Sequence, residues 1–93
     1  GEFHFERRDL HVPIASGKKL VETMDKNAPS VFADEKVTAT ANLDGSKLIF
    51  EDESWILFRQ SGTEPILRIY CEATSPEKVQ KLMDEGERLA RIS

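Results

Sequence analysis

Residues 59–65, with the sequence RQSGTEP, bring together groups suited to binding an oxyanion. The guanidinium of Arg59 offers a planar fork of donors that matches phosphate oxygens. Ser61 and Thr63 add hydroxyl donors on either side of Gly62, and glycine permits backbone conformations in which successive N–H groups converge on one anion. The segment therefore predicts an anion-binding loop. An ordinary turn that binds nothing fits the same residue types.

The loop differs from a nucleotide-binding P-loop, because the Gly-Lys-Ser/Thr ending is absent and no helix follows. Its carboxylate, Glu64, would repel a bound anion, since two unit charges 4 Å apart interact by about 4 kcal/mol at an effective dielectric near 20. We expect Glu64 to point away from the anion and to pair with Arg68 or Arg59. Glu64 and Arg68 are thus predicted to support the loop rather than to contact the ligand.

Two predicted strands, 55–60 and 66–73, hold the loop between them. Apolar and polar side chains alternate along both, as expected for strands with one face on a core. In the first, Trp55 and Leu57 lie opposite Ile56 and Phe58. In the second, one face is apolar throughout, and its members are Leu67, Ile69, Cys71 and Ala73.

The rest of the chain predicts five further elements and two tight turns. A helix is expected over 14–26, with an apolar stripe that consists of Ile14, Gly17, Leu20, Val21 and Met24. A second helix over 76–91 begins after the N-cap Ser75, and its apolar stripe consists of Val79, Leu82, Met83, Gly86, Leu89 and Ala90. A strand over 3–12 should bury Phe3 and Phe5, and hairpin strands are expected at 37–43 and 47–50. The first of these should face the core with Val37, Ala39, Ala41 and Leu43. Asp44-Gly45 and Glu51–Ser54 are the predicted turns.

These elements predict an α+β domain of two layers. An antiparallel sheet of four to five strands would carry both helices on one face and leave the other face open. With 93 residues, the chain is expected to form a single domain over 1–93.

The composition limits the kinds of partner that the domain is expected to bind. Thirteen basic and seventeen acidic residues give a net charge of −4, which argues against duplex nucleic acid as a ligand. No apolar run approaches the ~20 residues of a membrane helix. The single cysteine, Cys71, cannot form an internal disulfide, so a reducing, cytoplasmic setting is expected.

Other chemistry-bearing residues have structural interpretations that we favour. His4 and His11 are too few to predict a metal site, and Cys71 is expected to be a buried thiol. Trp55, Phe58 and Tyr70 could form a stacking platform for bases, but core packing or contact with a neighbouring domain is the preferred interpretation.

Residues 59–65, followed by Arg68, Tyr70 and Glu72-Ala73, resemble the C-terminal signature of the α-D-phosphohexomutases. This family includes phosphoglucomutase, phosphomannomutase and phosphoglucosamine mutase. The resemblance spans roughly residues 36–91, and the β-α-β4-α order (a TBP-like arrangement) agrees with the fourth domain of these enzymes.

The resemblance implies a role in a larger enzyme. Such mutases interconvert hexose 1-phosphate and hexose 6-phosphate through a phosphoserine, a bisphosphorylated sugar and Mg²⁺, and the fourth domain holds the non-reacting phosphate. Carried over to this chain, Arg59, Ser61, Gly62 and Thr63 are the expected phosphate ligands, with a backbone contact from Gln60.

The nucleophile and magnesium segments of such enzymes are missing here. The resemblance therefore implies a fragment with no cofactor of its own, inactive without the remaining domains. The alternative is a free-standing, non-catalytic α+β module that binds an anion or nucleic acid.

Overall fold

The computed structural model describes residues 2–93, which form two helices and one six-stranded sheet. Neighbouring strands are antiparallel and follow the order β1-β6-β5-β4-β3-β2. In chain order the elements are β1 (His4–His11), α1 (Ile14–Lys26), β2 (Val31–Phe32), β3 (Glu35–Ala41), β4 (Ser46–Phe50), β5 (Trp55–Gln60), β6 (Ile66–Ala73) and α2 (Pro76–Ile92). The predicted two-layer α+β fold is confirmed.

The sheet is one short strand larger than expected. Two-residue β2 pairs with the start of β3, in a part of the chain between residues 26 and 37 for which the sequence predicts no strand. Ala33 and Asp34 connect the two strands with φ values of 49° and 65°. Such a turn suits a hairpin, but neither residue is the glycine that usually marks it.

The core lies between the helices and one face of β4, β5 and β6. The alternation separates two faces of β5, and the face that carries Ile56 and Phe58 is the one that is fully buried. The apolar face of β6 is also fully buried, and it consists of Leu67, Ile69, Cys71 and Ala73. Helix α2 covers this face with the predicted stripe, which includes the buried Val79, Leu82, Met83, Gly86 and Ala90.

The predicted buried face of β1 is wrong. Phe3 and Phe5 are 43% and 59% exposed, and Phe5 lies on the open face of the sheet beside Trp55 and Tyr70. The opposite face of β1 buries Leu10 and meets α2 through Arg8, which donates hydrogen bonds to Asp84 and Glu87. Apolar spacing alone could not reveal a helix–sheet contact made by ion pairs.

The predicted core face of β3 is correct only at its first residue. Val37 packs against the core, whereas Ala39, Ala41 and Leu43 are exposed. An irregularity in the pairing with β4 between Val37 and Ala39 moves Ala39 and Ala41 to the open face, and Leu43 lies beyond the end of β3.

A cluster of ion pairs joins α2 to the start of β3 and to the β4–β5 turn. Lys78 Nζ lies 2.8 Å from Glu35 Oε1 and also contacts the carboxylate of Asp52 in the β4–β5 turn. Burial alone would raise the pKa of Asp52, but hydrogen bonds from Lys78 and Ser54 outweigh it and lower this pKa to about 2. The cluster thus holds three chain segments together.

Within residues 2–93, neither helix is long and apolar enough to span a bilayer.

Candidate functional site

The loop between β5 and β6 is closed by its own backbone. Ser61 N donates to Ile66 O at 3.0 Å, and Ile66 N donates to Glu64 O at 2.8 Å. Val12 N, just after β1, donates to Pro65 O at 3.1 Å. These bonds fix the loop at one end of the sheet, beside the start of α1.

The hydroxyl of Ser61 organises the inside of the loop. Its oxygen accepts hydrogen bonds from Thr63 N at 3.4 Å and Glu64 N at 3.2 Å. Gly62 does not adopt a left-handed φ. The Thr63 and Glu64 amides thus converge on Ser61 Oγ, rather than forming the Gly62-centred anion nest that glycine would permit.

Several loop donors stay free in this arrangement. Among residues 2–93, neither the Gly62 amide nor the Thr63 hydroxyl has a hydrogen-bond partner. The Ser61 hydroxyl acts as an acceptor within the loop, so its proton remains available. Gly62 and Thr63 are exposed, and the space where a Gly62 side chain would project is open. A small anion therefore has access to this side of the loop.

Arg59 and Arg68 lie side by side on the open face of the sheet. They are direct cross-strand neighbours, and Asp9 on β1 is in turn opposite Arg68. Arg68 Nε lies 3.8 Å from Asp9 Oδ1. The expected pairing of Glu64 with Arg68 or Arg59 is wrong for the described part of the chain, because strand register gives Arg68 a carboxylate on β1 instead.

Arg59 differs from the chain's other arginines in its surroundings. The chain has six arginines, and five of them form ion pairs with carboxylates. Arg59 is exposed and has no carboxylate partner in residues 2–93. An arginine at the entrance of a loop with free donors is the arrangement that anion binding requires.

The sequence interpretation missed what lies beneath the loop. Gln60 turns to the helix side of the sheet, where its Nε2 donates to Ser61 O at 3.2 Å and Glu64 O at 3.1 Å. Its carboxamide packs on Gly17 of α1. Gly17 appeared only as one member of the apolar stripe of α1, and no spacing rule relates it to a residue 43 positions later.

The start of α1 also contributes to the site's electrostatics. No side chain caps this end of the helix, and its first turn contains no acidic residue. The positive end of the helix dipole therefore lies near the loop without compensation from its own first turn.

The remaining candidates do not join the site. The predicted burial of Cys71 is confirmed, and burial raises the pKa of its thiol to about 12. Phe58 is buried, whereas Trp55 and Tyr70 lie on the open face, so the three cannot form one stacking platform.

No three His, Cys, Asp or Glu side chains in residues 2–93 come together as a metal site. These residues do not fit a Mg²⁺ ion, and we derive no reaction step through a metal held by this chain.

The sequence is similar to proteins of a known family. Residues 15–89 match the family described as phosphoglucomutase/phosphomannomutase, C-terminal domain. The chain is 38% identical over 85 residues to a probable phosphoglucosamine mutase of Pyrococcus abyssi, covering 91% of this chain and 18% of that protein. It is 46% identical over 58 residues to a phosphoglucomutase/phosphomannomutase of Thermococcus kodakarensis, covering 62% of this chain and 12% of that protein.

The chain thus spans less than a fifth of the length of these curated relatives. The match covers α1, the sheet from β2 to β6 and most of α2, and it includes the whole RQSGTEP loop. The chain belongs to the phosphoglucomutase/phosphomannomutase family and corresponds to its C-terminal domain.

Proposed function

We propose that residues 59–63 bind the phosphate group of a hexose phosphate. The observation that carries this proposal is Arg59, the exposed arginine without a carboxylate partner at the entrance of the loop. The Gly62 amide and the Ser61 and Thr63 hydroxyls supply further donors. Gln60 supports the loop from beneath, because its side chain donates hydrogen bonds to Ser61 O and Glu64 O.

Charge favours a dianion at this place. An arginine and a phosphate 4 Å apart attract each other by about 4 kcal/mol per unit charge at an effective dielectric of 20, and salt weakens this in an exposed loop. Arg68 adds positive charge beside Arg59, although Asp9 offsets part of it. Millimolar affinity, about −4 kcal/mol, is the scale expected for such a partial site.

The role of this domain is to position a substrate. The donors assigned to residues 59–63 orient the phosphate group and stabilise its charge, and this is the contribution that we propose for the domain. We assign the phosphoryl transfer, with the phosphoserine and Mg²⁺ that the resemblance implies, to the remaining domains of a larger cytoplasmic mutase. That enzyme would interconvert hexose 1-phosphate and hexose 6-phosphate. The family match favours this role over that of a free-standing anion- or nucleic-acid-binding module.

Calorimetric titration of the chain tests the proposal. We expect glucose 6-phosphate to bind with a millimolar Kd and glucose to give no signal. Arg59→Ala should weaken binding at least tenfold, because it removes the free guanidinium. Arg91→Ala is the matched control, since Arg91 is exposed and pairs with Glu87 on α2. Equal affinities for the wild type and Arg59→Ala would refute the proposal.

A further inference from the structure

The side chain of Gln60 connects the two ends of the loop from below. Its Nε2 carries two protons, and both are used: one for Ser61 O at 3.2 Å and one for Glu64 O at 3.1 Å. A single carboxamide thus joins the first carbonyl of the loop to one three residues later. Because Ser61 Oγ also accepts from the Glu64 amide, the loop is held from two directions.

Helix α1 provides the surface on which this carboxamide rests. A β-carbon on Gly17 would overlap Gln60 Oε1 and lie 2.7 Å from Gln60 Cδ. Gly17 is buried, and Gln60 Oε1 is buried without a hydrogen-bond partner in residues 2–93. Only glycine at position 17 leaves room for the carboxamide in this orientation.

The buried Gln60 Oε1 lacks a hydrogen-bond partner, which costs free energy of folding, so other interactions of this side chain must offset the cost. The two bonds from Nε2 are the compensation that the structure shows.

We propose that Gln60 and Gly17 are a pair of positioning residues that set the shape of the anion-binding loop. Gly17 admits the carboxamide, and the carboxamide fixes the carbonyls of Ser61 and Glu64. The free donors at positions 61–63 then face outward in one conformation before any ligand arrives. The inference deepens the proposed function and rests on it for the ligand, but the ordering of the loop is a property of the free chain.

Gly17→Ala is the direct test. Gln60 is flexible at its end and can swing away, and alanine is the better helix former, so the thermal midpoint should not fall. The loop should nevertheless loosen. We expect ¹⁵N order parameters of residues 61–64 to drop from about 0.85, typical of rigid backbone, to below about 0.6. The Kd for inorganic phosphate should rise about three- to tenfold.

Two further variants make the result specific. Gln60→Ala should loosen the loop as much as Gly17→Ala, and the double variant should be no looser than either single variant, because both changes remove the same bonds. Gly86→Ala is the matched control: its added methyl would meet Phe58 Cε1 at 3.2 Å, in the core under α2, and it would not touch Gln60. It should lower the thermal midpoint and leave the order parameters of residues 61–64 unchanged.

Wild-type order parameters in Gly17→Ala, or additive loosening in the double variant, would overturn the inference. If the wild type failed to bind phosphate while Gly17→Ala still loosened the loop, the proposed function would be lost and the positioning pair would stand.

Discussion

Replacing Lys78 by methionine should destabilise the domain and change its response to acid. Lys78 is mostly buried, with 16% of its side chain exposed, and it holds the carboxylates of Glu35 and Asp52. Methionine keeps most of the apolar stem of lysine but leaves two carboxylates without this cation. The expected loss lies between that of an exposed ion pair, up to about 1 kcal/mol, and that of a buried one, about 3–5 kcal/mol.

The pKa of Asp52 narrows this range. It lies at about 2 in the folded domain, against an ordinary value of 3.8. At 1.36 kcal/mol per pKa unit, this difference sets an upper limit of about 2.5 kcal/mol on the stability that the ionised Asp52 contributes to the fold. The Asp52 side chain is 33% exposed, so solvent screening reduces the contribution to about 1–1.5 kcal/mol.

The sign of the pH effect follows from the direction of this shift. A carboxylate whose pKa is lowered by folding stabilises the domain fully above its unfolded pKa. For Asp52 this stability is lost as the pH falls from about 4 to about 2. The pKa of Glu35 is also lowered, by hydrogen bonds from Lys78 and Lys81, and it acts in the same direction.

Urea unfolding followed by the fluorescence of Trp55, the chain's single tryptophan, measures both effects. At pH 7 the midpoint of Lys78→Met should fall by about 1 M, given an m-value of about 1–2 kcal/mol per M. Between pH 4 and pH 2 the variant should lose less stability than the wild type. Lys26→Met is the control, since the Lys26–Glu22 pair is two-thirds exposed and should matter by less than about 0.5 kcal/mol. Identical acid profiles for Lys78→Met and the wild type would refute this reasoning.

Three further outcomes are expected. The Cys71 thiol should react with a disulfide reagent at the rate of unfolding, because it is buried and its pKa is about 12; rapid labelling of the folded chain would contradict this. Ser75→Ala should cost about 1 kcal/mol in urea unfolding, because it removes the cap that Ser75 Oγ provides to Lys78 N at 3.1 Å; an unchanged midpoint would show that the cap is unimportant. Coupled-enzyme assays should detect no mutase turnover by the chain alone, and turnover by the pure chain would overturn the assignment of catalysis to other domains.

Much of the fold could be predicted from the sequence, because the spacing of apolar residues agrees with the pattern of burial in β5, β6 and α2. The alternation separates the two faces of β5, and the apolar face of β6 and the stripe of α2 are the faces that the core buries. The predictions failed where something other than apolar burial decides the packing. Arg8 anchors β1 through ion pairs with α2, and the irregular pairing after Val37 reverses the faces of β3.

The candidate site could likewise be predicted from the sequence only in part. Residue types could identify the loop and Arg59, because these are local in sequence. The contacts that shape the loop are not local: Asp9 reaches Arg68 through strand register, and Gly17 meets Gln60 only after α1 packs on the sheet. Strand register and helix docking have to be known before these partners can be assigned.

Titration of the ¹⁵N-labelled chain with inorganic phosphate tests the central claim most directly. We predict saturable shifts with a millimolar Kd at the amides of Ser61, Gly62 and Thr63 and at the Arg59 guanidinium, all lost in Arg59→Ala. Shifts scattered over the surface, or the same loop response in Arg59→Ala, would contradict the claim that this loop holds a phosphate group.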